Sequence, residues 1–184
     1  MVDDYTFRIE QERKEKDHWF RAGHDSPIPH EVRHAFRGLD YYGIDLTLRF
    51  SLSVAEYPKQ EVLTFPTSKG TEQHFLRYGY FEFPVAGEAV RLHAYRPAHG
   101  HGAHDFLFVP FRDATSAKET YGAGRYLDLP FEPSGVYDVD FNRAYNPYCA
   151  YSDDFVCPFP PRENWLKVPI RAGEKTWSKP EPPT

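Results

Sequence analysis

Basic residues, cysteines and long apolar runs are all scarce in this chain of 184 residues. Lysine and arginine number 22 against 27 acidic residues, which gives a formal net charge of -5. A chain with this balance lacks the basic surface that nucleic acids and anionic membranes need, so we expect neither as a partner. No stretch approaches the roughly 20 apolar residues of a membrane span, and the acidic start is unlike a signal peptide.

The two cysteines are too few for a disulfide framework. Cys149 and Cys157 are also spaced too widely for a zinc knuckle. Because the acidic start is unlike an export signal, we expect the chain in the reducing cytoplasm, with both cysteines as free thiols that pack as small hydrophobes. The sequence offers no general base near either residue, so a cysteine nucleophile is disfavoured.

The first part of the chain is typical of a helical arm. Residues 3–22 contain no Pro or Gly, begin with capping aspartates and carry Glu–Lys pairs at helical spacing. Residues 26–38 predict a second, short helix, with prolines in its first turn and Gly38 at its end. We therefore expect a helical arm over 1–38.

From residue 39 onward the apolar period becomes that of strands. The clearest example is 45–54, where leucine, phenylalanine and valine alternate with polar residues. Turn residues separate the further strand-like segments, which are 61–65, 74–83, 89–96, 105–111, 125–131, 136–141 and 166–170. Together they predict a mainly β fold, an antiparallel barrel-like or sandwich domain over 39–177 with a loose tail at 178–184. We expect one domain over 1–184.

Neither a metal nor a cofactor is expected. The segment "HAYRPAHGHGAH" contains His93, His99, His101 and His104, but its glycines favour a hairpin tip, and no carboxylate or cysteine of metal-site spacing lies nearby. The G-x-G of "TYGAGRYL" is followed by a strand-like segment instead of the helix that a dinucleotide site requires. Both patterns are better explained as turns.

Charged residues alternate with apolar ones in "VYDVDFNRAYNP". If one face of this strand is buried, Arg143 is buried; if the other is, Asp138 and Asp140 are. A buried charge needs partners, so either register predicts a polar network inside or at the mouth of the β domain. The candidate partners are Arg112, Arg125, Glu163 and Glu174. The network is equally well interpreted as a ligand site or as an ion-pair cluster that ties down the C-terminal segment.

Three long motifs, "TYGAGRYL", "DFNRAYNPYCAY" and "CPFPPRENWLKVPIRAGEK", carry a family resemblance. From about Phe106 to Lys175 the chain resembles the prokaryotic domain-of-unknown-function family 1684, and the "SPIP" and "FRGL" segments are similar to its usual start. The chain departs at Ala117 and Phe159, where the family pattern has Gly and Leu. The resemblance implies a common fold and locus but no reaction, and the histidine cluster lies outside it.

The first functional hypothesis is the binding of a small polar or anionic ligand, with a carboxylate or phosphate. Arginine guanidinium groups suit such anions because their planar donors match two oxygens. Arg125 and Arg143 would hold the anion. The ligand-binding set comprises Tyr121, Arg125, Asp140, Asn142, Arg143, Tyr145, Asn146, Glu163 and Asn164.

Two alternatives use the same residues. The first is a small-molecule hydrolase or other acid/base enzyme, with Asp140 or Glu163 as general acid or base and Tyr121 or Tyr145 as proton donor. The second is a purely structural polar network. A carboxylate with a raised pKa in a cleft favours the enzyme, whereas one neutralised by arginines favours binding or structure. The sequence leaves the oligomeric state open.

Overall fold

The computed structural model describes residues 4–99 and 105–180. Helix α1, Asp4–Ala22, begins the described chain, as its uninterrupted charged sequence predicts. The second predicted helix is a 3-10 helix, His30–Ala35, which follows Pro29. The predicted cap Asp3 and the end of the predicted tail, 181–184, lie outside the described residues.

The rest of the described chain is mainly β, which confirms the predicted fold class. Its strands are β1 Arg49–Ser53, β2 Ala55–Glu56, β3 Val62–Pro66, β4 Glu72–Val85, β5 Glu88–Pro97, β6 Phe106–Phe111, β7 Arg125–Pro130 and β8 Val136–Asp140. The larger sheet has the order β2-β4-β5-β6-β7, with β3 also paired to β4, and β1 and β8 form a second sheet. All these pairs are antiparallel. Across the described residues, the two sheets do not close into a barrel.

The longest hairpin joins β4 to β5 through a two-residue turn. Val85 pairs with Glu88, and the residues between them, Ala86 and Gly87, both have positive φ, 50° and 83°. Positive φ at both positions is what the tight hairpin turn compatible with strand twist requires. The turn therefore sets the register of the two central strands.

Two predicted strand segments differ from the structure. Leu46–Leu48 is a 3-10 helix capped by the Asp45 side chain, so β1 begins only at Arg49. The prediction of a strand at 166–170 is wrong: Pro169 has no backbone N–H to donate, and the segment is irregular. Isolated backbone hydrogen bonds to the loop after β6 hold it in place.

The main apolar core lies between the two sheets. Phe81, Leu92, Val109 and Phe141 are completely or almost completely buried there. Because strand side chains alternate between faces, neighbouring residues of the same strands point to the opposite side of the larger sheet. That side carries a separate aromatic cluster, formed by Phe65, Phe75, Tyr95, Phe108 and Tyr126.

Helix α1 packs through a third apolar cluster. Phe20 contacts Phe36 and Tyr151, which brings the helix against both the 3-10 helix of the arm and the loop after β8. Among the described residues, no helix combines the length and apolar character needed to cross a bilayer.

Candidate functional site

Arg125, the first predicted anion-binding arginine, is buried at the start of β7. Only 1% of the residue is exposed. Its guanidinium donates to the carbonyl oxygens of Ile170 at 2.7 Å, Ala172 at 2.5 Å and Glu174 at 3.1 Å, and lies 3.4 Å from Asp113. This geometry ties the irregular C-terminal segment to the sheet, which agrees with the structural alternative for this residue.

Arg143, the second arginine, lies at the surface. Its side chain is 42% exposed and donates two hydrogen bonds to Glu12 of helix α1, at 2.9 and 2.7 Å. The hydrogen bonds to Glu12, together with the nearby Asp140, keep the guanidinium protonated and raise its pKa. Arg143 is therefore far more accessible than Arg125, but it already carries a carboxylate partner.

Asp140 and Asn142 belong to one buried network. The Asp140 carboxylate accepts from the Tyr5 hydroxyl at 2.7 Å, and from the backbone and side-chain nitrogens of Asn142 at 3.0 Å each. The Asn142 amide oxygen accepts from the backbone nitrogen of Asp45 at 2.8 Å. Burial, together with the Asp140 carboxylate, raises the pKa of Tyr5. These contacts link α1 and the chain before β1 to the end of β8.

Asn146 and Glu174 join the loop after β8 to the C-terminal segment. The Glu174 carboxylate is 2% exposed and accepts from the Asn146 backbone at 2.7 Å and the Tyr151 hydroxyl at 2.8 Å. Lys16 of α1 forms an ion pair with the same carboxylate. The Asn146 amide donates to the Lys175 carbonyl at 2.9 Å.

Glu163 and Asn164 lie in a different place, on the aromatic side of the larger sheet. Glu163 accepts two hydrogen bonds from Arg77, at 3.1 and 2.6 Å, and one from Tyr95 at 2.5 Å. Burial alone would raise the pKa of Glu163, but the hydrogen bonds from Tyr95 and Arg77 leave this pKa below its usual value. A carboxylate held in its charged form by an arginine is poorly suited to act as a general acid.

The Asn164 side chain bridges two strands. Its amide nitrogen donates to the carbonyls of His93 and Pro110, and its oxygen accepts from the His93 backbone, all at 2.8 Å. The residue is fully buried. Every polar atom of this side chain has a protein partner, so Asn164 supports the sheet.

Tyr145 leads to a carboxylate that the sequence reasoning did not select. Its hydroxyl donates to Asp128 of β7 at 2.6 Å. Asp128 is solvent-exposed and lines the wall of a groove, where protein atoms nevertheless partly desolvate its carboxyl. Burial raises the pKa of its carboxyl, while the Tyr145 hydrogen bond and the charge of Lys16 oppose that effect. The same burial, with Asp128 beside it, raises the pKa of Tyr145.

The groove around Asp128 and Tyr145 contains a cavity of about 550 Å³. Helix α1, strand β7 and the loop after β8 surround it. Its lining residues are Lys16, Trp19, Phe20, Tyr126, Asp128, Tyr145, Pro147, Tyr148, Phe155, Val156, Cys157 and Pro158. Half of the twelve lining residues are aromatic, and the set includes one cationic and one acidic side chain, which is the usual composition of a small-molecule site.

Two smaller cavities adjoin this one. One, of about 420 Å³, lies beside β4 and β6, and another, of about 180 Å³, lies between α1 and Arg143. Tyr145 lines all three cavities, and Asp128 lines the two larger ones. We call these connected surfaces the Asp128–Tyr145 groove.

The remaining predicted residue, Tyr121, faces a cysteine instead of the groove. Its hydroxyl lies 3.7 Å from the sulfur of Cys149. Thus the nine predicted residues do not converge on a single site. Tyr145 lies in the main cavity, and Arg143 and Asn142 line its small neighbour. Asp140 is hydrogen-bonded to Asn142, and the other five residues belong to separate networks.

The histidine segment is only partly described. His93 is buried, and its ring nitrogen lies 3.0 Å from the Tyr57 hydroxyl. His101 and His104 lie outside the described residues. Within the residues that are described, no three histidine, cysteine or acidic side chains are arranged to hold a metal ion. The absence of a metal and of a cofactor stays a prediction.

Comparisons with known proteins decide the family. The model of the family described as "Protein of unknown function (DUF1684)" matches residues 34–175. The chain belongs to this family. This confirms the resemblance drawn from the motifs and extends the match into the helical arm.

A protein of known structure has a similar fold. The solution NMR structure of an uncharacterized protein from Haloarcula marismortui is 38% identical to this DUF1684 chain, with a TM-score of 0.71. The match covers 94% of this chain and 95% of the other. A search of curated proteins found no match. Since the family description names no activity, the function of this DUF1684 protein has to be argued from its own groove.

Proposed function

We propose that this protein binds a small amphipathic molecule in the Asp128–Tyr145 groove, and that the ligand has a flat apolar body and an acidic group. The observation that carries this proposal is the aromatic cavity of about 550 Å³ with Lys16 and Asp128 in its wall. Cavities of this size hold metabolite-sized ligands.

The Lys16 ammonium supplies the positive charge. It lies 5.1 Å from the centre of the Tyr145 ring and forms its ion pair with Glu174. An ammonium group has three donors, and within the described residues Lys16 uses only one of them in a hydrogen bond to protein. The remaining donors suit a ligand carboxylate or phosphate. Lys16 thus takes the role that the sequence analysis gave to Arg125 and Arg143.

Asp128 supplies an acceptor on the same wall. One of its carboxylate oxygens accepts from Tyr145, and in the described part of the chain the other accepts no hydrogen bond. A ligand that also carries an amino or hydroxyl group would therefore satisfy both polar side chains. Aromatic carboxylates with a donor group, such as aromatic amino acids and hydroxy acids, have this combination.

The aromatic walls accommodate the apolar body. Trp19 and Tyr148 stack with ring centres 6.4 Å apart, and Tyr148 meets Phe155 edge to face at 5.1 Å. Trp19 is 38% exposed and Val156 46% exposed at the edge of the cavity. A planar ligand group would cover this apolar surface, which gives the driving force for binding.

An acid/base enzyme at the same groove is the second candidate. It is favoured by the raised pKa of Asp128, since a carboxyl with a raised pKa can exchange a proton near neutral pH more readily. In this case Asp128 would be the acid or base, and Tyr145 would orient it. Turnover of the bound molecule would distinguish this candidate from simple binding.

The cytoplasm stays our expected compartment.

The binding proposal is tested by thermal melting and calorimetric titration with three matched probes. Phenylalanine has the ring, the carboxylate and the amine, whereas phenylpropionate lacks the amine and phenethylamine lacks the carboxylate. We expect phenylalanine to stabilise the protein most, following the mass-action rule of about 2.7 kcal/mol at a hundredfold excess over Kd. The Asp128→Asn and Tyr145→Phe variants should bind it more weakly.

Two lysines of helix α1, Lys16 in the cavity wall and Lys14 at the surface, provide a matched control. Lys16→Met should abolish the response to the carboxylate probes, whereas Lys14→Met, at an exposed position of α1, should not change it. Trp19→Ala tests the aromatic wall without touching a charge. The proposal is refuted if aromatic carboxylates give no saturable binding to the wild type, or if Lys14→Met weakens binding as much as Lys16→Met.

A further inference from the structure

Cys149 and Cys157 are brought together by the loop after β8. Cys149 lies in the 3-10 helix Tyr148–Ala150, and its backbone nitrogen donates to the sulfur of Cys157 at 3.3 Å. This hydrogen bond places the Cys157 sulfur against the Cys149 backbone. The sequence between the two cysteines does not by itself predict this contact, which is a result of the tertiary structure.

The surroundings of the two sulfur atoms differ. Hydrogen bonds from the Cys157 thiol and from Tyr121 lower the pKa of the Cys149 thiol, against the opposing effect of burial. Burial raises the pKa of Tyr121, so its hydroxyl stays protonated and remains a donor. A thiolate is the reactive form of cysteine, which makes Cys149 the more nucleophilic member of the pair.

Cys149 is also the more accessible of the two. It is half-buried and lines an open cavity of about 520 Å³, whereas Cys157 is buried. The charged side chains around that cavity include three acids, Glu31, Asp153 and Asp154, and one base, Lys179. The excess of negative charge around this cavity disfavours anionic reactants. A small neutral oxidant is therefore the reactant that best suits the surroundings of Cys149.

We propose that Cys149 and Cys157 form a redox-active dithiol that reacts with a small neutral hydroperoxide, and that Tyr121 positions the Cys149 thiolate. The proposal does not require a ligand in the Asp128–Tyr145 groove, although Cys157 also lines the main cavity of that groove. It gives a role to Tyr121, a residue of the "TYGAGRYL" motif that the groove does not use.

The reaction has two steps. The Cys149 thiolate attacks one oxygen of the hydroperoxide, the O–O bond breaks, and the leaving oxygen takes a proton to form an alcohol or water. The sulfur of Cys157 then loses its proton and attacks the resulting Cys149 sulfenic acid; the S–S bond forms and water leaves. In total the dithiol loses two electrons and two protons, and the hydroperoxide is reduced. An external thiol returns the pair to the reduced state.

The experiment treats the reduced full-length protein with hydrogen peroxide and follows its intact mass. We expect the loss of two hydrogen atoms, reversal by dithiothreitol, and a cross-linked peptide that contains both cysteines. In Cys157→Ser the reaction should stop at a sulfenic acid that dimedone traps. Cys149→Ser should give neither product.

Two further measurements keep the proposal testable if a cysteine variant does not fold. In the native wild type, iodoacetamide should modify Cys149 about tenfold faster than Cys157. Tyr121→Phe should move the pH profile of that modification to higher pH without changing the melting temperature. The proposal is overturned if peroxide leaves both thiols intact, oxidises Cys149 to sulfinic acid without a disulfide, or if Tyr121→Phe leaves the profile unchanged.

Discussion

Replacing Arg125 by methionine should destabilise the protein far more than the same change at Arg143. The structure places these two arginines in opposite environments, one in the core with backbone partners and one at the surface with Glu12. Methionine keeps much of the apolar length of arginine but removes the charge and the donors. The comparison therefore isolates the guanidinium group at each position.

The expected magnitudes follow from the contacts. Arg125→Met leaves Asp113, which is 7% exposed, without its cation, and three carbonyl oxygens lose a donor. Breaking a buried ion pair costs about 3–5 kcal/mol, and each abandoned buried acceptor adds to that. Arg143→Met breaks an ion pair whose side chains are 42% and 43% exposed, which is worth about 0.2–1 kcal/mol.

Urea denaturation, with linear extrapolation to water, measures both free energies of unfolding. A loss of about 3 kcal/mol or more is a large part of the total of about 5–15 kcal/mol for a folded protein, so Arg125→Met should shift the midpoint strongly. The reasoning is refuted if Arg125→Met stays within about 1 kcal/mol of the wild type, or if Arg143→Met loses as much as Arg125→Met.

Three further predictions concern single positions. Gly173 has a φ of 75° and an added Cβ would collide with the Ala144 carbonyl, so Gly173→Ala should cost more than about 1–3 kcal/mol, and more than the unobstructed control Gly135→Ala, both measured by chemical denaturation. Asn164→Ala should lower the free energy of unfolding by about 1–3 kcal/mol, because it leaves buried strand groups without partners; an unchanged denaturation midpoint would contradict this. Because the pKa of Asp128 is raised in the folded state, its contribution to stability is present at acidic pH and is lost as pH rises through the folded-state pKa. Asp128→Asn should therefore gain stability relative to the wild type as pH rises through that range. A constant difference between the two proteins across a pH series of thermal melts would contradict this.

Much of the fold could be predicted from local patterns. The uninterrupted charged start predicted α1, and period-two alternation with turn residues predicted most of the strands. These signals can be recognised in the sequence because each depends on residues only a few positions apart. The prediction failed at 166–170, where long-range hydrogen bonds and Pro169 hold an irregular segment whose apolar composition resembles a strand.

The polar network was predictable in kind but not in its connections. The sequence showed that Asp140, Arg143 and their neighbours needed partners, since buried charges and amides cannot remain unsatisfied. It could not show that Arg143 pairs with Glu12 of α1 or that Arg125 binds the backbone of the C-terminal segment. The sequence analysis therefore predicted the same role for Arg125 and Arg143, whereas the structure places them in very different environments.

By itself, the sequence determined the family, the mainly β fold and the need for a polar network near the end of β8. Only the tertiary structure decided where the groove lies. Asp128 has the sequence pattern of an outward-facing strand residue and is solvent-exposed in the structure, yet desolvation by distant parts of the chain raises its pKa and Tyr145 hydrogen-bonds to it. Burial and hydrogen bonding depend on which distant segments pack together, and local sequence does not contain that information.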